Sequence, residues 1–187
     1  MEEAARLPGT MVCVTMLIHD DAELVRAAAD GSQAAFGVLY ARYAKVVHGI
    51  LLARVPYSEA EDLVQEVFVT AFQKIRSLRE PKAFGGWLAA ITRRCAIDFH
   101  RATIRRRTAD QESASDAYSA PDADAFHVLQ AIQTLPEAYR EALILRLVSG
   151  MSGPEIAERI GLTPDSVRVN LFRGMKMLRE LLKGREA

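Results

Sequence analysis

Apolar residues recur three and four positions apart along nearly every ordered stretch of this chain, and strand-like alternation is scarce. That period belongs to the helix, so the pattern predicts an all-α protein. DDAELVRAAAD gives a short first helix stopped at Gly31. Ser32 is placed as the N-cap of a long second helix, QAAFGVLYARYAKVVHGILLARV, running to Pro56. Ser58 and Glu61 have the spacing of a capping box, in which each side chain satisfies a backbone N–H near the other, and so predict the opening of the next helix. Leu63, Val67, Ala71 and Ile75 form its apolar stripe. Pro81 and the pair Gly85 and Gly86 then break the pattern, after which a helix bearing Trp87 runs into a knot of arginines.

From about Thr108 to Ala125 the residues turn to Ala, Ser and Asp with almost nothing to bury, the signature of a linker. Beyond it lie roughly sixty residues, close to the smallest helical domain that folds unaided. The expected architecture is two small helical domains joined by a flexible linker. In residues it reads 1–19 as a disordered leader, 20–107 as the first domain, 108–125 as the acidic linker and 126–187 as the second domain.

The most specific local grammar lies in MSGPEIAERIGLTPDSVRVNLFRGMKMLREL. Ser152 and Glu155 form a second capping box, Ile156, Ala157 and Ile160 a short apolar face, and Gly161 a stop where positive φ costs little. Thr163 is then an N-cap, with Pro164 at the first helical position, where its missing N–H is no loss. Helix, tight glycine turn, helix is the helix-turn-helix, whose second helix enters the DNA major groove. Val167, Leu171, Leu178 and Leu182 fall on its packing side. The opposite side presents Asp165, Ser166, Arg168, Val169, Phe172, Arg173, Lys176 and Arg179. Cations there bond guanine edges or phosphates, and an exposed valine and phenylalanine suit thymine methyls; a merely solvated face has no use for those two.

Charge sharpens the picture. The 24 basic and 24 acidic residues cancel, which excludes a uniformly basic nucleic-acid binder but not segregated charge. Arg93, Arg94, Arg101, Arg105, Arg106 and Arg107 cluster, whereas Asp110, Glu112, Asp116, Asp122 and Asp124 follow with no base among them. Asp62, Gln65 and Glu66 give their helix an acidic, amide-bearing face suited to a basic helical partner, although a solvated face would look the same. Cys13 and Cys95 lie far apart in no metal-ligand spacing, as in a reducing compartment. MVCVTMLI is too short to span a bilayer and lacks a cleavage site, so it reads as the leader of a cytoplasmic protein, with Met11 and Met16 as alternative starts. His19, His48, His100 and His127 are scattered and no Gly-rich phosphate loop occurs, so neither catalysis, metal nor cofactor is expected.

Three segments in order, DLVQEVFVTAF, AFGGWLAAITRRCAIDFHR and LPEAYREALILRLVSGMSGPEIAERIGLTPDSVRVNLFRGMKMLREL, resemble the bacterial RNA polymerase sigma factors of the extracytoplasmic-function type, from Asp21 to Leu182. The resemblance implies a non-enzymatic initiation factor whose first domain docks on the polymerase clamp and opens the minus-ten element while the second reads the minus-thirty-five element as duplex. Asp62, Gln65 and Glu66 match the polymerase-binding positions. Leu78, Arg79, Lys82 and Phe84 fall in the loop that captures a base flipped from the non-template strand, with Trp87 packed in the core beneath it. Arg93, Arg94 and Arg101 are assigned to unpaired phosphates exposed on melting; Arg105 to Arg107 either join them or begin a solvated linker. Pro164, Asp165, Ser166, Arg168, Val169, Phe172, Arg173 and Lys176 are assigned to the minus-thirty-five duplex. The implied partners are core polymerase, promoter DNA and an anti-sigma factor, often membrane-anchored, that would hold the protein at the inner membrane; no small-molecule substrate is implied.

Departures from the family's pattern, Arg94 for asparagine, Leu78 for an aromatic, Val169 and Asn170 for Ser-Arg, and Gly174 and Met175 for Ala-Arg, fall on the reading surfaces, so promoter preference does not transfer from relatives. A stand-alone helix-turn-helix regulator is the rival reading. It would bind duplex operator tightly by itself, where a sigma factor needs polymerase.

Overall fold

The computed structural model describes residues 20–109 and 123–183, and the leader 1–19, Cys13 and most of the expected linker lie outside them. Among the described residues the ordered elements are helical. They run α1 Asp21–Ala29, α2 Gln33–Leu52, α3 Tyr57–Lys74, 3-10 turns at Ile75–Ser77 and Pro81–Ala83, α4 Phe84–Ala109, α5 Ala123–Thr134, α6 Glu137–Leu147, α7 Gly153–Ile160 and α8 Pro164–Lys183. Helix α4 thus carries through Thr108 and Ala109, and α5 begins at Ala123, so helix extends into both ends of the stretch read as linker.

The local signals account for most boundaries. Gly31 ends the first helical segment at φ +106°, and the Ala35 N–H donates to Ser32 Oγ (3.2 Å), the expected cap of α2. Helix α2 stops at Leu52, short of Pro56, because the Ala53 to Val55 backbone tightens into a turn, with Arg54 N–H donating to the Leu51 carbonyl. The Ser58 and Glu61 box does not form. Pro56, with φ −56° and extended ψ, already starts α3 at Tyr57, so Ser58 lies inside the first turn and no side chain caps it. Gly85 and Gly86 do not break a helix either; they sit in the first turn of α4, which opens at Phe84.

Helices α1 to α4 bury Leu63, Val67, Ala71 and Ile75 as expected, against Leu39, Val47 and Leu51 of α2. Helix α2 is long and apolar enough to cross a membrane, but half of it is buried as the central strut of this bundle. The second group, α5 to α8, packs onto the first. One apolar cluster joins Leu39, Val47 and Leu88 to Ile132, Leu143 and Ile144, and another joins Val46, Ile50 and Ala89 to Leu145, Ile156, Ile160 and Val167. The two halves therefore share their core, with each fully buried Leu or Ile contributing roughly 1.5–3 kcal/mol.

Candidate functional site

The turn between α7 and α8 is built as its sequence demands. Ser152 Oγ accepts from the Glu155 N–H and Glu155 Oε2 accepts from the Ser152 N–H (2.7 Å), so the box is closed on both sides. That same bond to Ser152 holds the exposed Glu155 carboxyl below its ordinary value. Gly161 takes φ +70° as a left-handed cap, and the Ser166 N–H donates to Thr163 Oγ1 (3.2 Å) at the start of α8. Val167 and Leu178 are buried and Leu171 and Leu182 half-buried, fixing the rotation of α8. In consequence Pro164, Asp165, Ser166, Arg168, Val169, Phe172, Arg173 and Lys176 all face outward. Phe172 is 75% exposed, unusual for an aromatic without a partner, and Arg168 lies 3.1 Å from Asp165 on the same face.

On α3, Asp62, Gln65 and Glu66 are exposed together on the face opposite the buried stripe. Beside them lies a shallow groove of about 350 Å³, in which Gln65 adjoins Tyr40, Val69 and Phe72, all three well exposed. The Phe36 and Phe72 rings meet edge to face at 4.9 Å and floor it. These aromatics were not picked out from the sequence, though Val69 and Phe72 stand four and seven positions after Gln65, the spacing that repeats one helical face.

The minus-ten candidates divide. Arg79 and Lys82 are exposed and Leu78 half-buried on the segment between the two 3-10 turns and its continuation. Arg94 and Arg101 are exposed on α4, and both lie near Asp98, at 3.0 and 3.7 Å. Arg105 and Arg106 extend the same exposed face, and the side chain of Arg107 lies outside the described residues. Phe84 is the correction. It is 1% exposed, packed edge to face on Tyr43 (5.1 Å) and beside Trp87 (5.8 Å), because the first turn of α4 directs it into the bundle; it does not face nucleic acid. Trp87 is half-buried under the segment, as expected.

Arg93 is held across the molecule. Its Nε and Nη2 donate to Glu141 Oε2 and Oε1 (3.1 and 2.6 Å), and Arg54 Nη1 stands 2.8 Å from the same carboxylate. The bond to Glu141 raises the Arg93 pKa further, against its partial burial. A second polar seam joins Asp21, which accepts from Tyr43 Oη (2.6 Å) and Arg159 Nη1 (3.1 Å), while the Arg159 guanidinium lies 4.6 Å from the Tyr43 ring centroid. Burial, then the bond to Asp21, push the Tyr43 phenol above its ordinary range. Neither Arg54 nor Glu141 carries a signal in the sequence, since partners 87 and 48 residues apart share no local pattern.

Comparison with known proteins agrees with this arrangement. The profile described as sigma-70 region 2 matches residues 39–108, and that described as sigma-70, region 4 matches residues 126–178. The RNA polymerase sigma factor CarQ of Myxococcus xanthus is 34% identical over 160 residues, covering 82% of this chain and 92% of that protein. The extracytoplasmic-function sigma-E factor of Escherichia coli K12 is 29% identical over 175 residues, covering 84% and 92%. Among solved structures, CnrH in complex with the cytosolic domain of CnrY aligns with TM-score 0.63 and 27% identity over 88% of this chain and 97% of that one. RpoE from Bartonella quintana, solved with the anti-sigma factor NepR, shares the fold at TM-score 0.56 and 24% identity, over 79% and 96%. A helical region 2 and a helix-turn-helix region 4 together define a promoter-specificity factor. The chain belongs to the extracytoplasmic-function sigma factors of bacterial RNA polymerase. As such it directs the polymerase to specific promoters.

Proposed function

We propose that the two halves divide promoter recognition between them. The first, residues 20–107, docks on core RNA polymerase and engages the melted minus-ten strand; the second, residues 126–187, reads the minus-thirty-five duplex. Docking falls to the acidic face of Asp62, Gln65 and Glu66, with the apolar groove at Tyr40, Val69 and Phe72 extending it; acid beside exposed aromatics suits a helical partner of basic, partly apolar surface. Arg79 and Lys82, with Leu78 between the turns, meet the displaced strand, and Arg93, Arg94 and Arg101 neutralise its phosphates. Arg168, Arg173 and Lys176 contact bases or phosphates in the major groove, and Val169 and Phe172 supply apolar contacts there.

The observation that carries the reading is the co-occurrence, in family order, of region 2 and region 4 with an α8 whose eight assigned side chains all face solvent. The rival, a self-sufficient operator-binding regulator, leaves the region 2 match without a purpose. No catalytic role is assigned to the chain, since nucleotide addition belongs to the polymerase. It acts in the cytoplasm, with an anti-sigma factor as a further partner that, where membrane-anchored, holds it at the inner membrane; CnrH and RpoE were each solved with a bound partner of their own. The docking assignment is tested by Asp62→Lys and Glu66→Lys. Each reverses a charge at an exposed position and is expected to weaken affinity for core polymerase by at least about tenfold, since like-charge juxtaposition across an interface costs more than the roughly 1.4 kcal/mol that tenfold represents. Wild-type affinity in both variants would discredit the docking face.

A further inference from the structure

Asp165 is the only acid among the α8 side chains assigned to the duplex, and it sits in the first turn, the part of a reading helix that meets base edges. Its side chain is 83% exposed, and that of Arg168, 79% exposed, brings Nη2 to 3.1 Å from Asp165 Oδ1. Val167 between them is buried and fixes the rotation that turns both outward. Ser166 is engaged elsewhere: its N–H donates to Thr163 Oγ1, and its hydroxyl lies 2.8 Å from that same oxygen. The first turn therefore presents one carboxylate and one guanidinium, held side by side. The carboxylate is the unexpected member of the pair. Duplex DNA carries a negative charge for every ~1.7 Å of its axis, and each phosphate that Asp165 approaches repels it.

In the major groove such a group is met favourably only by a donor. Guanine offers O6 and N7, both acceptors, and thymine O4 and a methyl group; adenine sets its N6 amino group beside the N7 acceptor, whereas cytosine offers the N4 amino group alone. A carboxylate has about four lone-pair sites, so the one that faces Arg168 leaves others for a base. We propose that Asp165 selects a cytosine in the minus-thirty-five element, accepting from its N4 amino group, while Arg168, which it holds, takes O6 and N7 of a guanine. The inference rests on the assignment of α8 to that duplex. Asp165 acts by exclusion as much as by attraction, because a keto base beneath it sets an acceptor against the carboxylate. Removing the charge therefore relaxes selectivity and raises activity on promoters that the wild type rejects, a gain that a merely damaged helix does not produce.

The test uses holoenzyme reconstituted from core polymerase and the full-length chain, and a genomic fragment that it transcribes, in which each base pair of the minus-thirty-five element is replaced singly by the other three. For the wild type, run-off transcription should show one position where replacing cytosine costs at least about tenfold, the scale of one major-groove base contact. Asp165→Asn keeps the shape and adds an N–H donor, and Asp165→Ala removes the group. Both should flatten that position, leave the ranking at the others in place, and transcribe the thymine-bearing fragment severalfold better than the wild type does. In the Arg168→Ala chain, Asp165→Asn should still flatten it. A wild type with no such cytosine, variants with the wild-type profile, or a loss uniform across all fragments would overturn the inference. So would the absence of any further effect in the Arg168→Ala chain, which would reduce Asp165 to holding Arg168. A wild-type holoenzyme that transcribes no fragment would overturn the reading of the chain as a promoter-specificity factor, and this inference with it; that result is seen before any variant is made.

Discussion

Gly150 and Gly161 share a backbone conformation, φ +70° in each, but not their surroundings. A Cβ built on Gly150 meets nothing within 4 Å, whereas one on Gly161 lies 2.9 Å from Gly86 Cα, across the seam between the halves. Replacing each by alanine therefore separates two energies. Left-handed backbone costs a non-glycine residue about 1–2 kcal/mol. Alanine returns about 0.4–1 kcal/mol by restricting the unfolded chain. Gly150→Ala should therefore destabilise by about 1 kcal/mol. Gly161→Ala carries the same cost and must also push two backbones apart by about half an ångström, an overpacking strain of about 1–3 kcal/mol. If the halves part instead of straining, the extra loss is the docking energy they forfeit, and the difference keeps its sign. Urea unfolding followed by circular dichroism at 222 nm measures both variants on one scale. Equal losses, within about 0.5 kcal/mol, would refute the claim that the halves pack backbone to backbone at this turn.

Three further outcomes are expected. Arg168→Ala and Arg173→Ala should each lower promoter-dependent transcription by roughly ten- to hundredfold, the worth of about 1–3 kcal/mol per base contact, with core-polymerase affinity unchanged; full activity in both would remove them from the reading surface. His48 is held below its ordinary pKa by burial, against the pull of Glu61. A depressed folded pKa means that its contribution to stability is complete above the unfolded value near 6.5 and is lost as pH falls through the folded value, so the melting temperature should drop on acidification below about 6.5 and His48→Gln should flatten that limb. An equally steep limb in the variant would exclude His48 as its source. Burial, with Glu66 and Asp98 adding negative charge nearby, pushes the Cys95 thiol up to about 11. Only about 3 in 10,000 of its molecules are then thiolate at pH 7.5, so iodoacetamide followed by peptide mapping should leave Cys95 unmodified in the folded protein and modified in urea. Labelling in the folded state at the rate of an ordinary cysteine would contradict that environment.

What the residue pattern reveals depends on the range of the interaction that decides each feature. The Ser152 and Glu155 box, the Gly161 cap and the Thr163 cap are settled within four residues, and the structure reproduces each of them. The similar pattern at Ser58 and Glu61 failed because a stronger local constraint, the Pro56 ring, starts the helix two residues earlier. Helical spacing correctly sorted α8 into a packing and an exposed side. Phe84 was misread because a residue flanked by breakers looks like loop, whereas the aromatic pocket of Tyr43 and Trp87 that draws it inward is assembled from two other turns of helix. The clamp of Arg54 and Arg93 on Glu141, and the shared core of Leu143, Ile144 and Leu145 with α2, depend on packing between halves that no short window of sequence contains.

The most direct test of the central claim is run-off transcription with purified core polymerase and genomic promoter fragments, including the region upstream of this protein's own gene. The account predicts discrete transcripts that require both core polymerase and this chain, and that are lost when Arg168 and Arg173 are replaced together. Transcription by core polymerase that is no more promoter-specific with the chain than without it, at a concentration where the two co-purify, would contradict it.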